Sequence, residues 1–414
     1  MDIECLVRGG LAAQPLAASR HRWKVLAVGV MANASFSAAA AGIPTTAVWM
    51  RADYRLDNAS LGWVLGCMGL GLALSELPWG VATDRLGDRP VLLTGLLATA
   101  LALFAMAFVV VPTGAFVPAV AVLAAAMCAV GLLGGSVNGS SGRAVMSWFG
   151  PSEHGLAMSI RQTAVPLGGG LGAALLPWLA SAHGFAAVFA TLAFMCAASA
   201  CFAWYWLKAP PLTDAAFTRA HAVAPACGPL ADLTIWRVAF GIGSLCIPQF
   251  AVLTFASVFL HDFGRLGTAG ISATMAAIQI GAMGMRVWSG RHTDRHGNRR
   301  AYLRASTLVA AASFAGLAFV VAAVHPAPTG LLVAMIIAAG ICISAWHGVA
   351  YAELATLAGA QRAGTALGMA NTIVYAGLFV APSAIPPLLD AGSWGTVWLS
   401  AGIVALAARP LFPR

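Results

Sequence analysis

Long apolar runs broken by short polar stretches pattern this 414-residue chain from Lys24 almost to its end. Each run is about 20 residues or more, enough for a helix to cross a hydrocarbon core about 30 Å thick. The pattern predicts spans at about 24–47, 59–80, 91–111, 117–147, 156–180 and 184–207. Six more follow at about 235–260, 268–289, 301–324, 330–357, 363–388 and 393–411. Between the two sets, 208–234 is polar, rich in Pro and Ala and too hydrophilic to span. The expected architecture is an all-α membrane protein of twelve transmembrane helices in two six-helix bundles, 1–207 and 235–414, joined by a 208–234 linker. Glycine and proline inside the runs are compatible with helices, because packed neighbours satisfy the backbone groups they free.

Composition agrees with this class. Charged residues are 9% of the chain and hydrophobic ones 60%, whereas a soluble domain carries about a quarter charged residues. Mean hydropathy is +0.84. Lysine and arginine set the orientation, since they accumulate in cytoplasmic loops. Arg51, Arg55 and Arg265 fall on the far side, Arg143, Arg161 and Arg286 fall within spans, and the other 17 of 23 lie on the side of the termini. That side, with both termini and the linker, is expected in the cytoplasm, in a bacterial inner membrane. The net charge of +9 follows alternate loops rather than one continuous face, so no nucleic-acid partner is expected. Eight scattered cysteines contain no CxxC pair and predict neither metal site nor disulfide framework. The first apolar run is of full membrane length and starts only after Lys24, unlike a cleaved signal. A GxxxxGK[ST] loop, an HExxH helix and a GxSxG elbow are all missing, so no enzyme and no cofactor is expected.

The polar punctuation repeats. GVATDRLGDR (80–89) and GRHTDRHGNRR (290–300) align at an offset of 210, matching Gly80, Asp84, Arg85, Gly87 and Arg89 with Gly290, Asp294, Arg295, Gly297 and Arg299. HGLAMSIRQT (154–163) aligns with AGTALGMANT (363–372) at an offset of 209. Two stretches at nearly one offset imply parallel duplication of a six-span unit, with a pseudo-twofold axis along the membrane normal and a cavity between the halves. The motif G-x-x-x-D-R-x-G-x-R between spans 2 and 3, repeated between spans 8 and 9, resembles the loop signature of the major facilitator superfamily. With twelve spans and a central linker, the resemblance covers nearly the whole chain. It implies a transporter whose small-molecule substrate passes between two bundles by alternating access. Membrane lipid is the surroundings, and a monomer is the expected working unit.

The repeated motif has its own physical logic. Gly80 and Gly290 sit at span ends, where the missing side chain lets backbones approach closely. Gly87 and Gly297 suit a tight reversal at positive φ. Asp84 and Asp294 are placed to accept hydrogen bonds from a helix N-terminus or to pair with arginine. The resemblance implies that this contact crosses between the halves and latches one access state. Arg85, Arg89, Arg295 and Arg299 are counted with the latch; the alternative is that Arg85, Arg89, Arg299 and Arg300 only enforce topology.

Ionisable residues within spans are costly and usually face the bundle interior. Glu76 and Arg286 stand one helical turn before Gly80 and Gly290, at equivalent positions and opposite in sign. They form either a salt bridge across the axis or a proton site (Glu76) beside a substrate anchor (Arg286). Burial and a neighbouring guanidinium act oppositely on a carboxyl, which makes Glu76 the candidate for proton coupling. The nitrate and nitrite branch of the superfamily carries arginine at both positions, so Glu76 argues against nitrate. Arg143 either contributes to the substrate path or pairs with Asp84. Arg161, whose counterpart in the repeat is Ala370, either binds substrate or snorkels to the interface. Pro166, Gly169 and Gly170 resemble part of the span-5 signature of drug and proton antiporters, but Arg161 and Val165 replace its two leading glycines. His347 and Tyr351 share a face of span 10, beside Trp346, while Glu353 is expected closer to water. Gln162 and Asn371 complete the substrate-site candidates, and Asn33, Asn138, Gln249 and Gln279 are further cavity polar groups. The expected function is proton-coupled secondary transport of a small, anionic organic solute. A proton-coupled efflux antiporter and a non-transporting sensor of the same fold are the alternatives.

Overall fold

The computed structural model of the protein describes residues 3–114, 116–209, 228–324 and 327–413. Most of the 208–234 linker, with Arg219 and Cys227, lies outside them. The described residues form helices and short turns, without a named strand. Span 1 lies within Arg20–Asp53: it takes the later part of the helix Ile3–Gly42, continued by a 3-10 turn through Pro44 and a short helix Ala47–Asp53. Spans 2 and 3 are Asn58–Leu86 and Asp88–Val109. Span 4 runs through Val120–Gly134 and Ser136–Trp148, and span 5 through His154–Gln162 and 164–183. Gly184, at φ 73°, separates span 5 from span 6 (185–206). The second half repeats this order: Leu233–Asp262, Thr268–His296, Arg299–Ala323, Thr329–Ser344 with His347–Ala358, Ala363–Asp390 and Trp394–Ala407. Among the described residues eight helical stretches are long and apolar enough to cross a membrane, and one of these, His154–Trp206, contains two spans.

Two features differ from the sequence expectation. The loop between spans 2 and 3 shrinks to a single residue: helix continues through Asp84 and Arg85 to Leu86, Gly87 turns at φ 91°, and helix resumes at Asp88. Gly297 likewise caps span 8 in the left-handed region at φ 63°. A side chain at either site would be strained, since positive φ suits only glycine well. Secondly, spans 4, 5 and 10 are broken at mid-depth rather than continuous. The breaks at Gly135 and Ala345 occupy equivalent positions, 210 residues apart. Gly134–Gly135 loosens span 4 by composition, and Pro166 lacks the N–H that would bond back across the span-5 break. In span 10 the carbonyls freed at the break find side-chain donors: Ser289 Oγ reaches Ala345 O at 2.7 Å and Arg286 Nε reaches Ser344 O at 3.3 Å.

The buried apolar side chains form two clusters, one per half. The second cluster also takes in Val145, Met146, Ala157 and Met158 from spans 4 and 5, so the halves are packed together at the end carrying the repeated motif. Close helix crossings make that packing possible. Gly80 of span 2 lies on the Gly364 carbonyl of span 11, and Gly290 of span 8 on the Gly155 carbonyl of span 5; a Cβ at either would collide with backbone. These two crossings are the pseudo-equivalent seams between the halves.

Candidate transport site and inter-half contacts

Hydrogen bonds join the halves at two levels. At the motif face, Gly364 N–H and Thr365 N–H, opening span 11, donate to the Asp84 carboxylate at 2.9 and 2.7 Å. In the other seam, Gly155 N–H and Leu156 N–H, opening span 5, donate to Asp294 at 2.9 and 2.7 Å. Each aspartate thus caps a helix N-terminus whose first N–H groups have no partner of their own. The supporting cations differ between the repeats. Asp294 pairs with Arg299 at 2.7 Å, and Arg299 also donates to Pro151 O across the seam. Asp84 is instead served by Arg143, at 3.4 Å, which also bonds Asp88 and donates to Ala360 O of the opposite half. Arg89, the sequence counterpart of Arg299, donates to Trp204 O and lies over the Trp204 ring. Arg85 and Arg295 are exposed.

Of the alternatives open for Arg143, the geometry thus realises the pairing with Asp84: its guanidinium belongs to the motif face and not to the mid-depth polar groups. Asp88 was not singled out in the sequence, since Asn298 replaces it in the second copy. Glu353, expected near water, is buried and bound to Arg300 at 2.7 Å, which supplies the charge that pays for its burial.

The mid-depth level gathers the remaining candidates. Glu76 is fully buried and accepts from Asn138 Nδ2 of span 4 and, at 3.1 Å, from Asn371 Nδ2 of span 11. Asn371 Oδ1 accepts from the Tyr351 hydroxyl at 2.6 Å, and Asn138 Nδ2 lies 3.2 Å from the Tyr375 hydroxyl. Arg161 is 1% exposed and turns inward: its NH2 donates to Asn138 O at 2.8 Å and Ser141 Oγ at 2.9 Å. It does not snorkel. Arg286, 2% exposed, donates through NH1 to the Gln162 carbonyl at 2.7 Å. The pair Glu76–Arg286 does not form; each reaches the opposite half through a different partner. His347 is buried between Trp346, with centroids 4.0 Å apart, and Tyr351, at 6.4 Å. Gln249 approaches Ser344 Oγ, next to the Arg286 contact, whereas Asn33 stays within its own half beside Ser37. Gln279 takes no part in the hydrogen bonds of either level described here. Tyr375 was missed in the sequence, although it stands four residues after Asn371 and so on the same helical face.

Among the described residues, neither Arg161 nor Arg286 has a carboxylate within ion-pair distance. Arg286 is balanced by carbonyls at the C-terminal ends of two broken helices, Gln162 and Ser344, where the helix dipole is negative. The two guanidiniums and Glu76 leave the buried region one positive charge in excess when the carboxyl is ionised.

Two duplicated halves thus meet in two seams with a buried polar layer between them, and sequence comparison gives this arrangement its family. The profile of the Major Facilitator Superfamily matches residues 26–382. The chain belongs to that superfamily. As a superfamily member it is a membrane-embedded transporter of small molecules and not an enzyme. It is 32% identical over 370 residues to an uncharacterised MFS-type transporter of Mycobacterium tuberculosis (strain CDC 1551 / Oshkosh), covering 87% of this chain and 79% of that one. It is 29% identical over 161 residues to a probable galactarate/D-glucarate transporter of Bacillus subtilis (strain 168), covering 38% of this chain and 33% of that one. The fold is shared with the proton:xylose symporter XylE bound to 6-bromo-6-deoxy-D-glucose, at a TM-score of 0.74, 14% identity and 95% coverage of both chains. It is also shared with the human organic anion transporter MFSD10, at a TM-score of 0.68, 16% identity and coverage of 94% and 99%.

Proposed function

We propose that this superfamily member is a proton-coupled symporter that imports a small organic anion across the bacterial inner membrane by alternating access, as a monomer. The observation that carries the reading is the pair of buried guanidiniums, Arg161 and Arg286, neither of which has a carboxylate within ion-pair distance among the described residues. Burying a cation is expensive unless it is paired, and a substrate carboxylate supplies the missing partner. Partial similarity to the probable galactarate/D-glucarate transporter supports a carboxylate-bearing solute. Glu76 is the proposed proton carrier, and Gln162, His347, Tyr351 and Asn371 are the proposed polar lining of the substrate path. Asp84 and Asp294, with Gly80, Gly290 and the arginines that serve them, are the proposed latch of the motif face, which we place in the cytoplasm on the loop-charge bias. The structure then corresponds to the state closed towards the cytoplasm.

Counterflow and uptake in proteoliposomes test this reading. D-Glucarate, galactarate and a panel of other mono- and dicarboxylates are offered with and without an imposed pH gradient. Accumulation of at least one anion, raised by an acidic exterior, is the expected result. Glu76→Gln should abolish the response to the pH gradient while counterflow persists. Accumulation of no anion, together with drug hypersensitivity of a deletion strain, would replace this reading with efflux.

A further inference from the structure

Gln162 and Asn371 occupy equivalent positions in the repeat, 209 residues apart, as Glu76 and Arg286 do at 210. Their contacts follow the same equivalence. In the seam between spans 2 and 11, Asn371 Nδ2 donates to Glu76. In the seam between spans 5 and 8, Arg286 NH1 donates to the Gln162 carbonyl. Each seam therefore carries a second clasp, buried above the aspartate cap, and built from the same pair of positions. Their chemistry is opposite: one clasp has a titratable anion as acceptor, the other a permanent cation as donor.

We propose that the Gln162 carbonyl holds the place of the substrate's carboxylate on Arg286, and that proton and substrate each release one of the two clasps. The proposal rests on the anion-symport reading and deepens it. An anionic oxygen is a stronger acceptor for a guanidinium than a neutral carbonyl, so a carboxylate arriving between the halves displaces Gln162 O from Arg286 NH1. The seam between spans 5 and 8 then loses its buried tie. Protonation of Glu76 converts an acceptor-only carboxylate into a group with one hydroxyl donor, and it weakens the bonds from Asn371 and Asn138. The groups facing Glu76 are Asn138 from span 4, Arg161 from span 5, Tyr351 from span 10, and Asn371 and Tyr375 from span 11. Arg161 is the cation among them, and its guanidinium reaches the same Asn138 side chain that donates to Glu76. With only one ligand present, one seam stays tied and the motif face stays closed. That requirement for both is what couples the two fluxes.

The decisive test needs no substrate. Arg286→Gln removes the cationic clasp permanently, so protonation of Glu76 alone should open the motif face. Proteoliposomes holding this variant and a pH-sensitive dye should dissipate an imposed pH gradient about tenfold faster than wild type, the scale set by losing one charged hydrogen bond. Arg286→Lys, which keeps a cationic donor, should restore tightness, and the double variant Glu76→Gln/Arg286→Gln should not leak. Arg286→Met, of similar stem and volume, replaces the Gln form if that fails to fold. A folded Arg286→Gln or Arg286→Met protein that stays proton-tight overturns the proposal, as does a leak that survives in the double variant. The leak is independent of substrate identity, so failure of the anion panel and failure of the clasp are separate results.

Discussion

Replacing Asp84 by asparagine tests the latch at a place where the structure isolates one effect. The Asp84 carboxylate receives two N–H bonds, of 2.9 and 2.7 Å, from the start of span 11 in the opposite half. Asparagine keeps one acceptor oxygen and turns an NH2 donor towards the second N–H. Arg143 is not orphaned by the change, because it keeps Asp88 and Ala360 O. The loss is therefore one charged hydrogen bond and the match between carboxylate and helix N-terminus, together about 2 kcal/mol. Both access states are folded, so this energy moves their ratio and leaves unfolding nearly unchanged. A closed-to-open ratio of about 100 to 1 would fall to about 3 to 1, since about 2 kcal/mol is a factor of about 30. Double electron–electron resonance reads the ratio directly. Spin labels at Ala209 and Ala301, both exposed at the motif face, are placed in a background with the native cysteines replaced by alanine. Asp84→Asn should add a longer-distance population that wild type lacks. An unaltered distance distribution would refute the latch and leave Asp84 a topological charge.

Further outcomes follow from the same geometry. Gly80→Ala places a methyl group on the Gly364 backbone, which cannot yield, so the same resonance measurement should show a larger opening than Asp84→Asn. Gly87→Ala forces a side chain to φ 91° and should cost about 1–3 kcal/mol, read as a lower thermal midpoint in detergent without a shift in labelled distances. Arg143→Ala should lower transport strongly because it leaves Asp84 and Asp88 without their guanidinium, whereas Arg89→Ala, which removes a contact with Trp204 of the same half, should stay within about twofold of wild-type uptake. Equal effects of the two arginines would show that the structural asymmetry between the repeats has no functional weight.

Much of the fold was legible because one physical demand is repeated twelve times. Residues in hydrocarbon must be apolar and their backbone internally bonded, and that demand writes spans into the sequence with a period no soluble contact can imitate. The offsets of 210 and 209 added the duplication, and with it the equivalence of Glu76 and Arg286. Gly80, Gly87, Asp84 and their second copies were legible for a similar reason: close approach, positive φ and helix capping each admit few residue types. Arg143 was less so, because a long side chain at a span end reaches either of two partners and the sequence does not choose. Tyr375 and Asp88 carried only weak signals.

What the sequence determined by itself is the set of local obligations: twelve helices, two equivalent halves, and a short list of polar groups that hydrocarbon does not tolerate unpartnered. What the tertiary structure decided is who satisfies whom. Glu76 and Arg286 look in sequence like a pair, yet each bonds across its own seam, to Asn371 and to the Gln162 carbonyl. The mid-span breaks in spans 4, 5 and 10 do not interrupt the apolar pattern, and the side chains that donate to the freed carbonyls of spans 5 and 10 come from span 8. Hydrophobicity is a property of each residue alone and can be read along the chain. A hydrogen bond belongs to two residues, and here the second one is often more than a hundred positions away.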